Sequence, residues 1–172
     1  PMKNLKRTTA AALALGLMFS HISANAATDD LKSMPLTDVL NLPSAAFDRN
    51  SADFDIFTSV FMDVWGQLPE SPVQAIANGS TALTAFVPTD AAFRSLVKYL
   101  TGKTLKTEQA VANAVMGLGA KTVEKVILYH VIVGDPILSP DALKANGAKL
   151  NAASGETVGV SVKGTTITLI DK

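Results

Sequence analysis

The sequence predicts a single α+β domain, and three observations carry that prediction. Apolar side chains recur at helical spacing between residues 53 and 65, and an apolar run at 83–87 has the length of a buried strand. Two alternating runs at 158–162 and 167–169, joined by a turn at 163–165, predict a β-hairpin. Because helices come first and strands come mostly late, this order favours an α+β arrangement over a parallel sheet with crossover helices.

The first strong element is a helix that begins near residue 53. Gly66 and Pro69 end it, since neither residue favours continuation of a helix. Its apolar residues follow one another at steps of three and four, which places them on one face: Phe54, Phe57, Phe61, Val64 and Trp65. Helical spacing is the usual signature of burial, so core packing is favoured over an aromatic platform for a ligand.

A strand-to-helix corner is predicted where the apolar run at 83–87 ends. Pro88 stops the strand because it cannot donate a hydrogen bond to a sheet. Thr89 or Asp90 then caps the following helix by accepting hydrogen bonds from its free N–H groups. A ligand-binding role for Asp90 would need a second carboxylate clustered with it, and the sequence supports none. We therefore expect Asp90 to be structural.

Further helices are predicted to start near residues 107, 122 and 139. The second of these has an apolar face formed by Val123, Val126, Ile127 and Val131. The same spacing places His130 on this inward face and directs Tyr129 outward. A histidine among apolar residues is usually a hydrogen-bonded core residue, and the alternatives are a ligand contact or a pH switch.

The first 26 residues have the pattern of a secretory signal peptide. Lys3, Lys6 and Arg7 precede an apolar run at 10–19, and the small residues at 24–26 supply a cleavage site. The run is too short to span a bilayer, which takes about 20 residues. A buried N-terminal helix is the alternative interpretation. Residues 27–52 then form a lead-in to the domain.

Charge and composition narrow the class of function. Without the signal peptide the chain keeps all 15 acidic groups and 12 of its 15 basic groups, a net charge of −3, which argues against nucleic acid or an anionic membrane surface as a partner. The absence of cysteine excludes disulfides, thiol chemistry and a lipid-modified cysteine anchor. His130 is the one histidine beyond the signal peptide, so a site with two or three histidine ligands is excluded, and no G-x-S-x-G nucleophile elbow occurs. We expect no catalytic residue, cofactor or metal.

Two stretches, TAFVPTDAAF at 84–93 and ILYHVIVGD at 127–135, together resemble the two signature segments of the fasciclin domain. The resemblance covers about residues 53–172 and implies a compact α+β domain, a β-sandwich or wedge with helices packed beside it. The structural signature positions are Thr84, Phe86, Pro88, Thr89, Asp90, Phe93 and Gly134. The family normally adds a further strand after the hairpin, so the resemblance also implies a C-terminally truncated domain that is marginally stable and prone to association.

The resemblance also implies a function. Fasciclin domains are extracellular and mostly adhesive, and their Tyr-His pair, here Tyr129 and His130, is linked to integrin-type adhesion. The aliphatic neighbours of this pair are Ile127, Leu128, Val131, Ile132 and Val133. We therefore expect a secreted or periplasmic, non-catalytic binding module at the cell surface, without a membrane span. Its partner would be an extracellular protein or a cell-surface polysaccharide, with Tyr129 favoured over His130 as the contact.

Two other functions stay open at this point. A structural envelope protein would act by self-association. A carboxylate-dependent hydrolase would need two carboxyl groups about 5 to 9.5 Å apart in a cleft. Nothing in their spacing selects a pair among the candidates Asp63, Glu70, Asp90 and Asp135.

Overall fold

A computed structural model of the chain describes residues 36–39, 47–77, 82–135, 137 and 139–170. The predicted signal peptide and most of the predicted lead-in lie outside the described residues. The helices and strands, in chain order, are α1 Leu36–Val39, α2 Asp55–Gln67, α3 Val73–Ala77, β1 Leu83–Ala85, α4 Asp90–Thr101, α5 Glu108–Met116, α6 Ala120–Tyr129, β2 Val131–Val133, α7 Ser139–Ala142, β3 Lys149–Asn151, β4 Thr157–Lys163 and β5 Thr166–Ile170. Helices beside two small antiparallel sheets confirm the predicted α+β class.

The helices pack around α2, which contacts α3, α4, α5 and α6. Phe57 and Phe61 are 3% and 0% exposed, and their rings stack with centroids 5.9 Å apart. Phe54 and Trp65 are partly buried at the margin of the same cluster. The predicted aromatic face is therefore the centre of the main core, and core packing is confirmed over a ligand platform.

The first sheet joins the two stretches that carry the resemblance. β1 and β2 pair antiparallel, with Thr84 opposite Ile132. The predicted continuation of the helix through Val131 was wrong, because α6 ends at Tyr129 and His130 is its C-cap, at φ −88° and ψ 4°. Residues 131–133 are all β-branched, which lowers their preference for a helix and suits a strand that has a partner in β1.

The second sheet has the strand order β3-β4-β5 and contains the predicted hairpin. In that hairpin Val160 lies opposite Leu169, and Lys163 lies opposite Thr166. The alternation of apolar residues is reflected in burial, since Val158 and Val160 are 3% and 4% exposed. An isolated antiparallel bridge between Ile132 and Ala152 connects this sheet to the first one.

Two short elements have no counterpart in the sequence-based prediction, α3 and β3. Val73 and Ile76 of α3 enter the main core, at 0% and 3% exposure. Trp65 Nε1 donates to Gln74 Oε1, which fixes α3 to the end of α2. Across the described residues, none of the helices combines the length and apolar character that a transmembrane span needs.

Candidate functional site

The two signature stretches form one structural unit. Beyond the β1–β2 ladder, the Phe86 N–H donates to the His130 carbonyl at 2.8 Å. The Thr84 hydroxyl accepts from the Ile137 N–H at 2.7 Å, so the first stretch also anchors the chain that follows the second. Gly134, at φ 129°, makes the turn after β2 in a conformation that favours glycine. The start of the first stretch therefore positions the backbone of His130 and of β2.

Tyr129 and His130 are both half-buried, so the predicted division into an outward tyrosine and an inward histidine was wrong. The Tyr129 side chain packs against a small apolar cluster formed by Phe86, Ile132, Ala152 and Val158. The two rings meet edge to face, with centroids 6.0 Å apart. Helical projection fails for His130 because this residue lies beyond the last turn of α6.

His130 lines a small apolar cavity that is bounded by side chains of α2, α4, α5 and α6. Its Nδ1 lies 2.7 Å from the Val126 carbonyl oxygen, which can only accept, so Nδ1 carries the proton in this contact. The residues that line the cavity include Pro88, Phe93 and Leu96. Val126 also lines this cavity and is 40% exposed, although the predicted apolar face included it.

The aliphatic neighbours of the pair divide into two groups. Ile127, Leu128, Val131 and Ile132 are at most 8% exposed, and they face the cores. Val133 is 53% exposed at the end of β2. Among the residues that the resemblance implicates, Tyr129, His130 and Val133 are therefore the ones with side chains accessible to solvent.

Asp90 joins two helices. Thr89 is the N-cap of α4, and its hydroxyl accepts from the Ala92 N–H at 3.4 Å. Asp90 is 0% exposed, and its Oδ1 accepts from the Ile56 N–H at 3.0 Å, in the first turn of α2. In return the Asp90 N–H donates to the Asp53 carbonyl at 3.0 Å. The starts of α2 and α4 therefore cap each other, as expected for a structural aspartate.

The expectation that Asp90 has no clustered carboxylate was wrong. Helices α2, α4 and α5 begin with Asp55, Asp90 and Glu108, and their N-termini converge. Together with Asp48 and Asp53 these three acids form what we call the acidic junction. Single oxygens of Asp48, Asp55 and Glu108 all lie within 4.8 Å of one another.

One arginine borders the acidic junction. Glu108 is 1% exposed, and its Oε1 lies 3.0 Å from Arg94 Nη2. The other oxygen of Glu108 accepts from the Asp48 N–H at 2.6 Å. Both oxygens of this buried carboxylate thus have donors, and Glu108 connects α5 to α4 and to the segment before α2.

The family model of the fasciclin domain matches residues 68–171, more than half of the chain. The chain belongs to the fasciclin domain family. Comparisons with curated proteins and with solved structures gave no significant match. Fasciclin domains are associated with cell adhesion and binding; they are generally non-catalytic and typically extracellular or secreted. Helix α2 precedes the matched residues, although it forms the centre of the main core. The acidic junction therefore contains residues from before the matched range and from within it.

Crowding and burial raise the carboxyl pKa values in the acidic junction. Burial raises the pKa of Asp90 to about 7, the Ile56 N–H opposes this shift, and the charges of Asp53 and Glu108 add to it. The Asp55 pKa is raised to about 6, first by burial and then by the neighbouring carboxylates. A side-chain hydrogen bond between Asp53 and Asp90 raises the Asp90 pKa further. Apart from this contact between the two carboxyl groups, Asp53 Oδ1 and Asp90 Oδ2 have no hydrogen-bond partner among the described residues.

Of the four carboxylates considered for a hydrolase, only Asp90 belongs to the acidic junction. Asp63, Glu70 and Asp135 are exposed, whereas Asp90 is fully buried. The fasciclin fold clusters Asp90 with Asp53 and Glu108 instead, which are 37 and 18 positions away along the chain. An acid at each helix start is visible in the sequence, but the meeting of three helix starts depends on the tertiary packing.

Proposed function

We propose that this fasciclin domain is a secreted or periplasmic, non-catalytic adhesion module. Its partner is an extracellular protein or a cell-surface polysaccharide, and its contact surface contains Tyr129, His130 and Val133. The observation that carries the proposal is the half-buried Tyr129–His130 pair beside an exposed Val133, held in place by the β1–β2 ladder. The signal-peptide pattern at residues 1–26 supports export.

Several physical features of this surface suit protein or carbohydrate binding. Tyrosine combines a large apolar ring with a hydroxyl, and its two side-chain torsions cost little entropy when they are fixed. The buried aliphatic layer beneath the pair keeps the surface rigid, so less order has to be created on binding. The contact between His130 Nδ1 and the Val126 carbonyl holds the His130 ring in one orientation.

Attachment assays with Tyr129→Ala and Tyr129→Phe test this proposal. The protein would be applied to immobilised matrix proteins and polysaccharides, with fold integrity followed by circular dichroism. Because Tyr129 is central to the contact surface, we expect Tyr129→Ala to weaken attachment by about tenfold or more, the size of one hot-spot contact. Tyr129→Phe separates loss of the hydroxyl from loss of packing on the Phe86 cluster.

Tyr99 provides the matched control. It is the other tyrosine of the chain, it is 70% exposed on α4, and it lies outside the proposed contact surface. Tyr99→Ala should leave attachment unchanged. Equal losses for Tyr99→Ala and Tyr129→Ala, or normal attachment by a folded Tyr129→Ala variant, would remove Tyr129 from the contact surface.

A further inference from the structure

Asp53 and Asp90 contact each other through buried carboxyl oxygens, and we call these two residues the carboxyl pair. Asp90 is 0% exposed, and a side-chain hydrogen bond joins it to Asp53. Asp53 Oδ1 and Asp90 Oδ2 are buried, and neither has another hydrogen-bond partner among the described residues. The backbone fixes this contact, because the Asp90 N–H donates to the Asp53 carbonyl and Asp90 Oδ1 accepts from the Ile56 N–H, both at 3.0 Å.

A hydrogen bond between two carboxyl groups requires a proton. Ionised carboxylate oxygens can only accept, so two ionised carboxylates cannot form this bond and repel each other instead. With one proton, the acid donates and the carboxylate accepts, so each of the two buried oxygens has a partner. Two acids that share a buried place therefore ionise as a unit, and the second ionisation is the difficult one.

The charged groups around the carboxyl pair also favour the proton. Glu108, at the start of α5, is a further acid whose charge raises the pKa of Asp90. Arg94 of α4 is the base that borders the acidic junction, and its Nη2 lies 3.0 Å from Glu108 Oε1, so its charge is already paired. Asp48 and Asp55, from the segment before α2 and from the first turn of α2, add negative charge beside Glu108. Keeping a proton lowers the charge that the carboxyl pair adds to this buried region.

We propose that the carboxyl pair keeps one shared proton in the folded protein near neutral pH, and that loss of this proton weakens the junction between α2 and α4. The proton completes the contact between the segment just before α2 and the first residue of α4. Without it, two negative charges lie together in a buried place and repel each other. The carboxyl pair thus makes the packing of these two helix starts sensitive to pH.

The stability that the shared proton contributes has a definite pH window. The pKa of Asp90 is raised from 3.8 to about 7, by burial first, with the neighbouring acids adding to the shift. Between these two values the folded protein keeps a proton that the unfolded chain gives up, so stability falls as pH rises. The contribution is complete below the unfolded-state pKa and is lost as pH rises through the folded-state value.

Urea unfolding of the full chain between about pH 5.5 and 8.5 tests the proposal, with wild type compared to Asp90→Asn. The amide of this variant can donate to Asp53 Oδ1 at every pH, so it replaces the shared proton and does not titrate. We expect the unfolding equilibrium constant of wild type to rise by about tenfold or more across this range, and that of Asp90→Asn to rise much less. Asp53→Asn places the amide on the other member of the carboxyl pair and repeats the comparison if Asp90→Asn does not fold.

Asp63→Asn is the matched control. Asp63 is exposed on α2, so the variant makes the same chemical change on the same helix but outside the acidic junction. It should keep the pH dependence of wild type.

Infrared spectroscopy of the folded protein gives a readout that is independent of stability. Below the folded-state pKa, wild type should show the carbonyl band of a buried protonated carboxyl group. This band should disappear as pH rises through about 7, and it should be absent from the corresponding spectrum of Asp90→Asn.

Two results would overturn the proposal. The first is a folded Asp90→Asn variant whose stability falls with pH as steeply as that of Asp63→Asn. The second is a wild-type spectrum without the protonated band below the folded-state pKa, which would show that both members of the carboxyl pair are ionised in the folded protein.

Discussion

At the scale of single residues, this fasciclin domain places a few charged side chains where they connect elements. Glu124 of α6 is one example: it is 8% exposed, and it is hydrogen-bonded to the Ser71 hydroxyl and to Lys121 Nζ, the latter at 3.1 Å. Ser71 also accepts from the Val73 N–H at 3.0 Å, at the start of α3. A single carboxylate therefore ties α6 to α3 through one serine.

The stability contributed by Glu124 should depend on pH. The Ser71 hydrogen bond, followed by the hydrogen bond and charge of Lys121, lowers the Glu124 pKa below its ordinary value of 4.5, although burial opposes the shift. A depressed carboxyl pKa stabilises the fold above the unfolded-state pKa, and this stabilisation disappears as pH falls through the folded-state value. Glu124→Gln should therefore lower the urea midpoint near neutral pH, and the difference from wild type should shrink below about pH 4.

Glu156→Gln is the control for this titration. Glu156 has a side chain that is 51% exposed, and its ion pair with Lys125 is 3.5 Å long, so it should contribute little to stability at any pH. A Glu124→Gln effect that persists unchanged into acid, or that Glu156→Gln reproduces, would contradict the role assigned to Glu124.

At the scale of elements, segments with a repeated apolar pattern could be predicted from the sequence, whereas three short elements could not. α2 and the β4–β5 hairpin each carry an apolar pattern that repeats often enough to identify them. α3, β2 and β3 have three to five residues each, and β2 is a strand because β1 lies beside it. The acidic junction was missed because its members come from three separate segments of the chain, 48–55, 90 and 108, which only the tertiary packing brings together.

The mutual capping of α2 and α4 predicts a ranked pair of substitutions at Asp90. Asp90→Ala removes the acceptor for the Ile56 N–H in a fully buried site, and it should cost about 1–3 kcal/mol of unfolding free energy. Asp90→Asn keeps an acceptor for Ile56 and offers an amide N–H to Asp53 Oδ1. We expect it to be clearly more stable than Asp90→Ala in urea unfolding. If the two variants lose the same amount of unfolding free energy, the assignment of the Asp90 carboxylate as a helix cap is wrong.

At the scale of the whole molecule, the domain has a helical half with the main core and a sheet half with two smaller clusters. The halves meet where β2 leaves α6 and bridges to Ala152. Tyr129 and His130 lie at this boundary, with Tyr129 on the sheet side and His130 on the helical side. The proposed contact surface therefore contains residues from both halves. A partner that binds this surface would stabilise the packing of the helical half against the sheet half.

The outer strand of the sheet half predicts self-association. Within the described residues β5 pairs with β4 alone, and Ile170 at its end is 52% exposed. Unpaired strand edges with exposed apolar residues tend to pair with another chain. We expect sedimentation velocity to show an average mass that rises with protein concentration, and we expect Ile170→Lys to suppress this rise.

Leu100 gives the matched control for that experiment. It is 51% exposed, nearly the same as Ile170, but it lies on helix α4 rather than on a strand edge. Leu100→Lys should leave the association unchanged. A monomer at all concentrations, or equal suppression by the two lysines, would exclude β5 as the associating edge.

The pairing of β1 with β2 has a consequence for the order of folding. The ladder brings together positions on either side of residues 86–130, and the segment between them contains α4, α5 and α6. Closing so long a loop has a large entropic cost while the segment is unfolded. The cost is smaller once the intervening helices have formed and packed. The Tyr129–His130 pair should thus acquire its final geometry late, which would make nascent or partly folded chains unable to adhere before the helical half is complete.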